Sequence, residues 1–288
     1  FSKLKKYFYT VKYLKIRQIM YQLYRSRIPI SHPKKYNQKD ISFVHELFFL
    51  HTPSVNKIDN TIFIFNKPIY DLRASNILVD KNFDYLYFFS FLYFDFIHKL
   101  DEKELNHFFC KDIALLECKK NFYHPYVVSK RLINLILIIK NEKILNNNLK
   151  QDITYQINKD ASYLYKNIEF NIDGNHLLTN FAALSIYERF FNSNSVNKSY
   201  KKYLLEFSKQ FKSGLHYERS MSYTSQLLHE SFLVFQAHIN ETPADHIALI
   251  EKSLGLINFY KKIGLKVDFV DNIFEQSFQE KNLCSLYT

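Results

Sequence analysis

The chain has 288 residues, 47% of them hydrophobic and 23% charged, which is enough apolar material for a large core and excludes a disordered chain. Only 4 Gly and 6 Pro punctuate it; sandwiches and barrels need many turn residues, so this scarcity favours long helices with short connections. A formal net charge of +11 favours a polyanionic partner (nucleic acid, an anionic membrane or an acidic polysaccharide) or else solvated Lys-rich helix faces, and charge alone does not choose among them.

Residues 1–27 interleave Lys and Arg with Tyr7, Phe8, Tyr13 and Tyr21, and Val11, Leu14, Ile19 and Leu23 recur at helical spacing, which predicts one basic amphipathic helix. Taken alone it would suit nucleic acid or a membrane surface; more often such a helix packs its apolar side on the domain. Pro29, Pro33, Pro53 and Pro68 break helices, and Thr61 to Phe65 followed by Asn66-Lys67-Pro68 predicts a strand and turn. Residues 1–80 therefore read as a basic helix and an irregular arm with a small hairpin.

From residue 84 the pattern is helical, with candidate helices at 84–99, 102–119, 125–142, 147–168, 175–192, 197–212, 219–239 and 244–263. Short links make them consecutive antiparallel hairpins, which can form a bundle, a solenoid or a closed toroid. No fixed-period repeat names a solenoid. Residues 81–268 form this helical unit, and 269–288, with little periodicity, read as a linker toward a further domain. The longest apolar run, Leu132 to Ile139, is interrupted by Asn134 and is too short to span a bilayer. No signal segment is visible, although the chain begins at Phe1 rather than Met. Cys110, Cys118 and Cys284 form no metal-ligand pattern, and their odd number argues against a full disulfide framework.

Two clusters carry reactive groups. In Asp173-Gly174-Asn175-His176, polar side chains open a helix, where the dipole favours an anion; the plain alternative is that Asp173 or Asn175 caps the helix. In Ser213 to Thr224, His216, Glu218, Arg219, Tyr217 and Tyr223 crowd one loop-to-helix junction, a density unusual for a connector, although it too would serve as a capped helix start. His229 and His238, nine residues apart on one helix, point to opposite sides and make poor joint metal ligands. Lys130, Arg131 and Lys140 are further cations that would touch a polyanion or be solvated. No zinc-protease, P-loop or dinucleotide fingerprint is present.

The segments GNHLLTNFAALSIYERFF (Gly174 to Phe191) and SGLHYERSMSY (Ser213 to Tyr223) resemble the GNH helix and the DG-x-H-x-E-R-S-x-x-Y junction of the heparinase II/III family. His124-Pro-Tyr-Val-Val-Ser-Lys-Arg-Leu-Ile-Asn134 resembles that family's W-x-P-Y-x-x-S-x-R-x-x-N-W helix, and Tyr93-Phe94-Asp95 its aromatic Y-F-D helix. The resemblance implies a mainly all-α fold, an incomplete α/α toroid of helical hairpins followed by a β-sandwich, for which no room remains after residue 270. It implies β-elimination on a uronate-containing acidic polysaccharide, needs no metal or cofactor, and argues against nucleic acid as partner. Asn175 would neutralise the C5 carboxylate, His176 would hold it or assist proton transfer, and Tyr223 would move the proton. His216, Glu218, Arg219 and Arg131 would bind the sugar chain. These groups are expected to converge on one concave surface. Known lyases of this type imply a periplasmic or secreted location.

Departures from the pattern are Ser213 for Asp, Met221 for Pro, Thr224 for His and the lack of Trp. The family's further His comes from the sandwich, so turnover is tied to that domain. Other readings are a non-catalytic or vestigial polysaccharide-binding toroid, a basic nucleic-acid binder, and a toroidal glycoside hydrolase using Asp173 and Glu218.

Overall fold

The computed structural model describes residues 55–78, 85–119, 121–140, 146–172, 174–191, 198–211, 221–238 and 241–262, with Ile16, Gln18, Met20, Gly214 and His216 as single positions. The expected N-terminal helix lies outside the described residues apart from those first three positions, which are helical, and the expected linker 269–288 lies wholly outside them.

The fold is mainly helical with a small antiparallel sheet. In place of one hairpin there is a four-stranded meander, β1 (Val55–Ile58), β2 (Thr61–Ile64), β3 (Lys67–Asp71) and β4 (Asn76–Ile77), paired in chain order. The turn between β2 and β3 has Phe65 and Asn66 both at positive φ (50° and 61°), the geometry that matches the twist of a two-residue hairpin. Pro68 is tolerated because it lies beside the register shift at Ile62/Phe63 and beyond the short β4 pairing.

The sheet rests on an aromatic layer from the next segment. α1 (Tyr85–Leu92) carries Phe91, which packs on Tyr70 of β3 at 5.1 Å and stacks on Phe96 at 5.0 Å. The single helix expected over 84–99 is broken after Leu92, and the chain resumes as a 3-10 turn, Asp95–Lys99. The break comes from Phe94, held at φ 63° and fully buried. A bulky side chain in the left-handed region costs on the order of 1–3 kcal/mol, and no Gly or Pro announces it. The expected 102–119 helix is present as α2 (Glu102–His107), a wide π turn (Phe108–Asp112) and α3 (Ile113–Glu117). Its start is a reciprocal capping box between Asp101 and Glu104.

The remaining helices follow the sequence closely: α4 (Pro125–Lys140), α5 (Asn147–Lys166), α6 (Gly174–Phe191), α7 (Lys198–Gln210), α8 (Met221–Ala237) and α9 (Ala244–Lys262). α4 packs on α5 and α6, α6 on α7 and α8, and α8 on α9. Hence α4, α6 and α8 lie side by side as an inner layer, each with its following helix outside it. Composition explains the division. α4 and α6 are buried on nearly every side, as a helix apolar all round must be, whereas α5 and α7 keep an exposed polar face. Ring contact between Tyr126 and His176 with the bond from Asn180 Nδ2 to Ser129 Oγ (3.0 Å) for α4 and α6, and Thr179 Oγ1 to Glu230 Oε2 (2.6 Å) with Ser185 Oγ to His238 Nε2 (2.9 Å) for α6 and α8, show that the inner helices run parallel. Their N-termini therefore share one end. Among the described residues, no helix is long and apolar enough to cross a membrane.

Candidate functional site

The shared end of the inner layer holds the polar groups. Gly174 opens α6 at φ 62°, a left-handed conformation that suits glycine, and its carbonyl accepts from Gln210 Nε2 at 2.8 Å. Asn175 and His176 follow and both are part-exposed. Asn175 Oδ1 accepts the backbone N–H of His176 at 3.0 Å, so the oxygen performs a local capping role and the amide NH2 is the group that would meet a carboxylate.

His176 is held on two sides. Its Nδ1 lies 3.1 Å from Glu169 Oε2, and its ring lies 4.4 Å, tilted by 30°, from that of Tyr126 at the start of α4. His124, just before α4, brings a second imidazole 6.0 Å from the first, with its Nε2 3.8 Å from Glu169 Oε1. Glu169 has no exposed side chain. These two rings and one carboxylate do not converge on a point; among the described residues no group of three His, Cys, Asp or Glu could hold a metal ion.

The second motif reaches the same end through buried hydrogen bonds. Gln210, which binds Gly174, has its Oε1 3.0 Å from His216 Nε2, and the backbone N–H of His216 donates to Thr224 Oγ1 at 3.2 Å. Phe211 and His216 form an antiparallel bridge that closes the loop. Gly214 (φ 85°) lets that loop lie against α9, where an added Cβ would come within 2.8 Å of Lys252 Cγ. Tyr223 lies in the first turn of α8, beside Thr224, and its side chain is outside the described residues. Glu218, Arg219 and Asp173 are also outside them.

Two expected sugar contacts need correction. Arg131 has no exposed surface: it makes two 2.8 Å bonds to Asp160, donates to Phe122 O at 3.0 Å and lies 3.8 Å over the Phe122 ring. Its guanidinium ties α4 to α5 and faces no ligand. His216 is likewise fully buried and joins the two motifs instead of meeting a sugar. In both cases the residue type carries the charge or ring, and packing alone decides which face of the helix or loop presents it.

Next to Tyr126 lies a polar network that motif reading left aside. Lys130 pairs with Glu230 of α8, which also accepts from Thr179 at 2.6 Å. Burial pulls the Lys130 ammonium down, but the charge and hydrogen bond of Glu230, with help from Asp95 and Tyr93, leave it above its ordinary value. Asn134 donates to Tyr93 O at 2.9 Å and to Asp95 Oδ1 at 2.5 Å, a grip made possible by the left-handed Phe94 between them. Burial pushes the Asp95 carboxyl up, against the pull of Lys130 and the Asn134 bond. Lys130, a candidate for polyanion contact by charge, thus has its charge matched internally.

His98, whose Nε2 lies 3.4 Å from Asn134 Oδ1, is pulled down to about 4 by burial, with the Asn134 bond opposing. Its folded value lies below the unfolded one, so its contribution to stability is complete above pH ~6.5 and is lost as pH falls toward 4. The expected result is a fall in the urea midpoint between these limits, worth on the order of 3 kcal/mol. The same titration of His98→Asn should lack that component; equal pH slopes for the two proteins would contradict it.

Comparison of the chain with protein-family models, with curated proteins and with solved structures gives no match in any of the three.

Proposed function

We propose that this chain is the helical, sugar-binding part of a polysaccharide lyase of the heparinase II/III type. It binds a uronate-containing acidic polysaccharide at the common end of α4, α6 and α8 and presents it for β-elimination. The observation that supports this most directly is the pairing of Asn175 with a clamped His176 at the part-exposed start of α6. Three parallel inner helices start at this end, and helix N-termini favour a carboxylate. The hairpin order, with inner helices side by side and partners outside, is the arrangement an incomplete α/α toroid requires.

The chemistry assigns the roles. The C5 proton of a uronate is weakly acidic because the adjacent carboxylate resists further negative charge. The amide of Asn175 donates to that carboxylate and stabilises the enolate-like transition state, while His176 holds the carboxylate once Nε2 is protonated or assists the proton transfer. Tyr223, in the first turn of the neighbouring α8, takes the C5 proton and returns one to the departing glycosidic oxygen. Arg219 and Glu218 border Tyr223 in sequence and orient the sugar. Tyr126, buried and packed on His176, holds that ring in place at the same position. A periplasmic or secreted location goes with such a substrate.

The experiment is incubation with heparan sulfate, alginate and hyaluronan, following absorbance at ~232 nm, where the unsaturated uronate product absorbs. A rise with one polymer is the expected result. Retention on a polymer column without any rise would replace the lyase by a non-catalytic polysaccharide-binding protein.

A further inference from the structure

Glu169 sits in the turn before α6 with its side chain fully buried. Its position is fixed from α4 and α6. Its backbone N–H donates to Asn180 Oδ1 at 2.8 Å; Asn180 Nδ2 donates to Ser129 Oγ at 3.0 Å; and Ser129 donates to Pro125 O at 2.9 Å. The backbone that carries the carboxylate is thereby tied to the two helices whose first turns carry Tyr126 and His176, with His124 just ahead of α4. Oε2 meets His176 Nδ1 at 3.1 Å, and Oε1, which has no hydrogen bond among the described residues, faces His124 Nε2 at 3.8 Å. Burying a carboxylate away from water is costly unless donors surround it, and an apolar or amide side chain would fill the same turn without that cost.

An ionised carboxylate only accepts, so the nitrogen facing it carries the proton. At His176 that nitrogen is Nδ1, and Nε2 is the one turned away from Glu169. The Tyr126 ring, 4.4 Å away, keeps the imidazole from rotating out of this relation. We infer that Glu169 is a positioning residue that holds His176 in its Nδ1–H tautomer, so that Nε2 is the nitrogen offered to the bound sugar. The inference rests on the uronate site proposed above for its consequence and for the kcat readout of its test, but not for the tautomer readout. When His176 takes a proton at Nε2, the same carboxylate balances the charge, and it does so for His124 as well. A single buried anion thus serves both imidazoles at the end of the inner layer.

The test is the ¹⁵N spectrum of the imidazole nitrogens in the whole chain, with the His176 signals assigned by their loss in His176→Gln. In the neutral ring the expected pattern is a protonated Nδ1 and a bare Nε2. Glu169→Gln, whose amide both donates and accepts, should lose that bias and lower kcat on the order of 100-fold with KM changed little. A wild-type His176 carrying its proton on Nε2 would overturn the inference, and needs no variant to be seen. So would a Glu169→Gln protein whose tautomer, or whose rate, is unchanged. The spectrum is recorded without substrate. A protein with the expected tautomer that eliminates no polymer would therefore overturn the lyase and leave the Glu169–His176 relation standing.

Discussion

Replacing Arg131 by Met is expected to destabilise the protein by about 3–5 kcal/mol, seen as a lower urea midpoint or loss of the folded protein. Arg131 and Asp160 have no exposed side-chain surface, and the guanidinium donates twice to Asp160 and once to Phe122 O. Among the described residues, removing it leaves buried Asp160 with the Gln156 bond (2.9 Å) alone, between α4 and α5. The cost arises from the stranded charge, not from the net worth of the pair, because forming the pair already required desolvating both ions. The double variant Arg131→Met with Asp160→Leu should therefore recover most of the loss. A double variant no more stable than the single one would show that the pair itself, and not the stranded carboxylate, accounts for the effect. If Arg131 touched the polymer, as its charge first suggested, the single variant would instead keep its stability and weaken binding.

The second large effect is on rate. Asn175→Ala should lower kcat by about 10²–10³ with KM changed little, the loss that follows removal of one donor aimed at developing negative charge. The side chain is part-exposed and its local bond is to the N–H of the next residue, so the fold should lose only about 1 kcal/mol, as for a helix cap. This separation between rate and stability is what distinguishes a ligand-facing amide from a cap. A variant that loses about 1 kcal/mol and keeps its full rate would reduce Asn175 to the capping role.

The elements most legible in the sequence were those whose signal is local. The helices from Pro125 onward end within a few residues of their expected bounds, because apolar spacing, Asn at the start of α5 and the Gly-Asn start of α6 act within one turn. What was not legible depends on contacts far apart in the chain. Phe94 breaks a helix that its neighbours favour, because Asn134 draws Tyr93 O and Asp95 together from across the core. The two motifs could be picked out, but not the Gln210–His216 link between them, since Gln210 looks like an ordinary residue at the end of an amphipathic helix. Glu169 gave a signal that could have been read: a carboxylate just ahead of a Gly-Asn-His helix start, in a turn that burial would make costly. His124, quoted within a motif, could have been counted as a site residue on the same ground.

The most direct test of the lyase reading compares the wild-type chain with Tyr223→Phe, following absorbance at ~232 nm on each uronate polymer. The expected result is a rise for the wild type that is abolished in Tyr223→Phe, while the variant still binds the polymer and unfolds at the same urea concentration. An equal rise from both proteins would contradict the assignment of proton transfer to Tyr223, and no rise from a folded wild-type protein that still binds a uronate polymer would contradict turnover by this chain and favour the non-catalytic polysaccharide-binding reading.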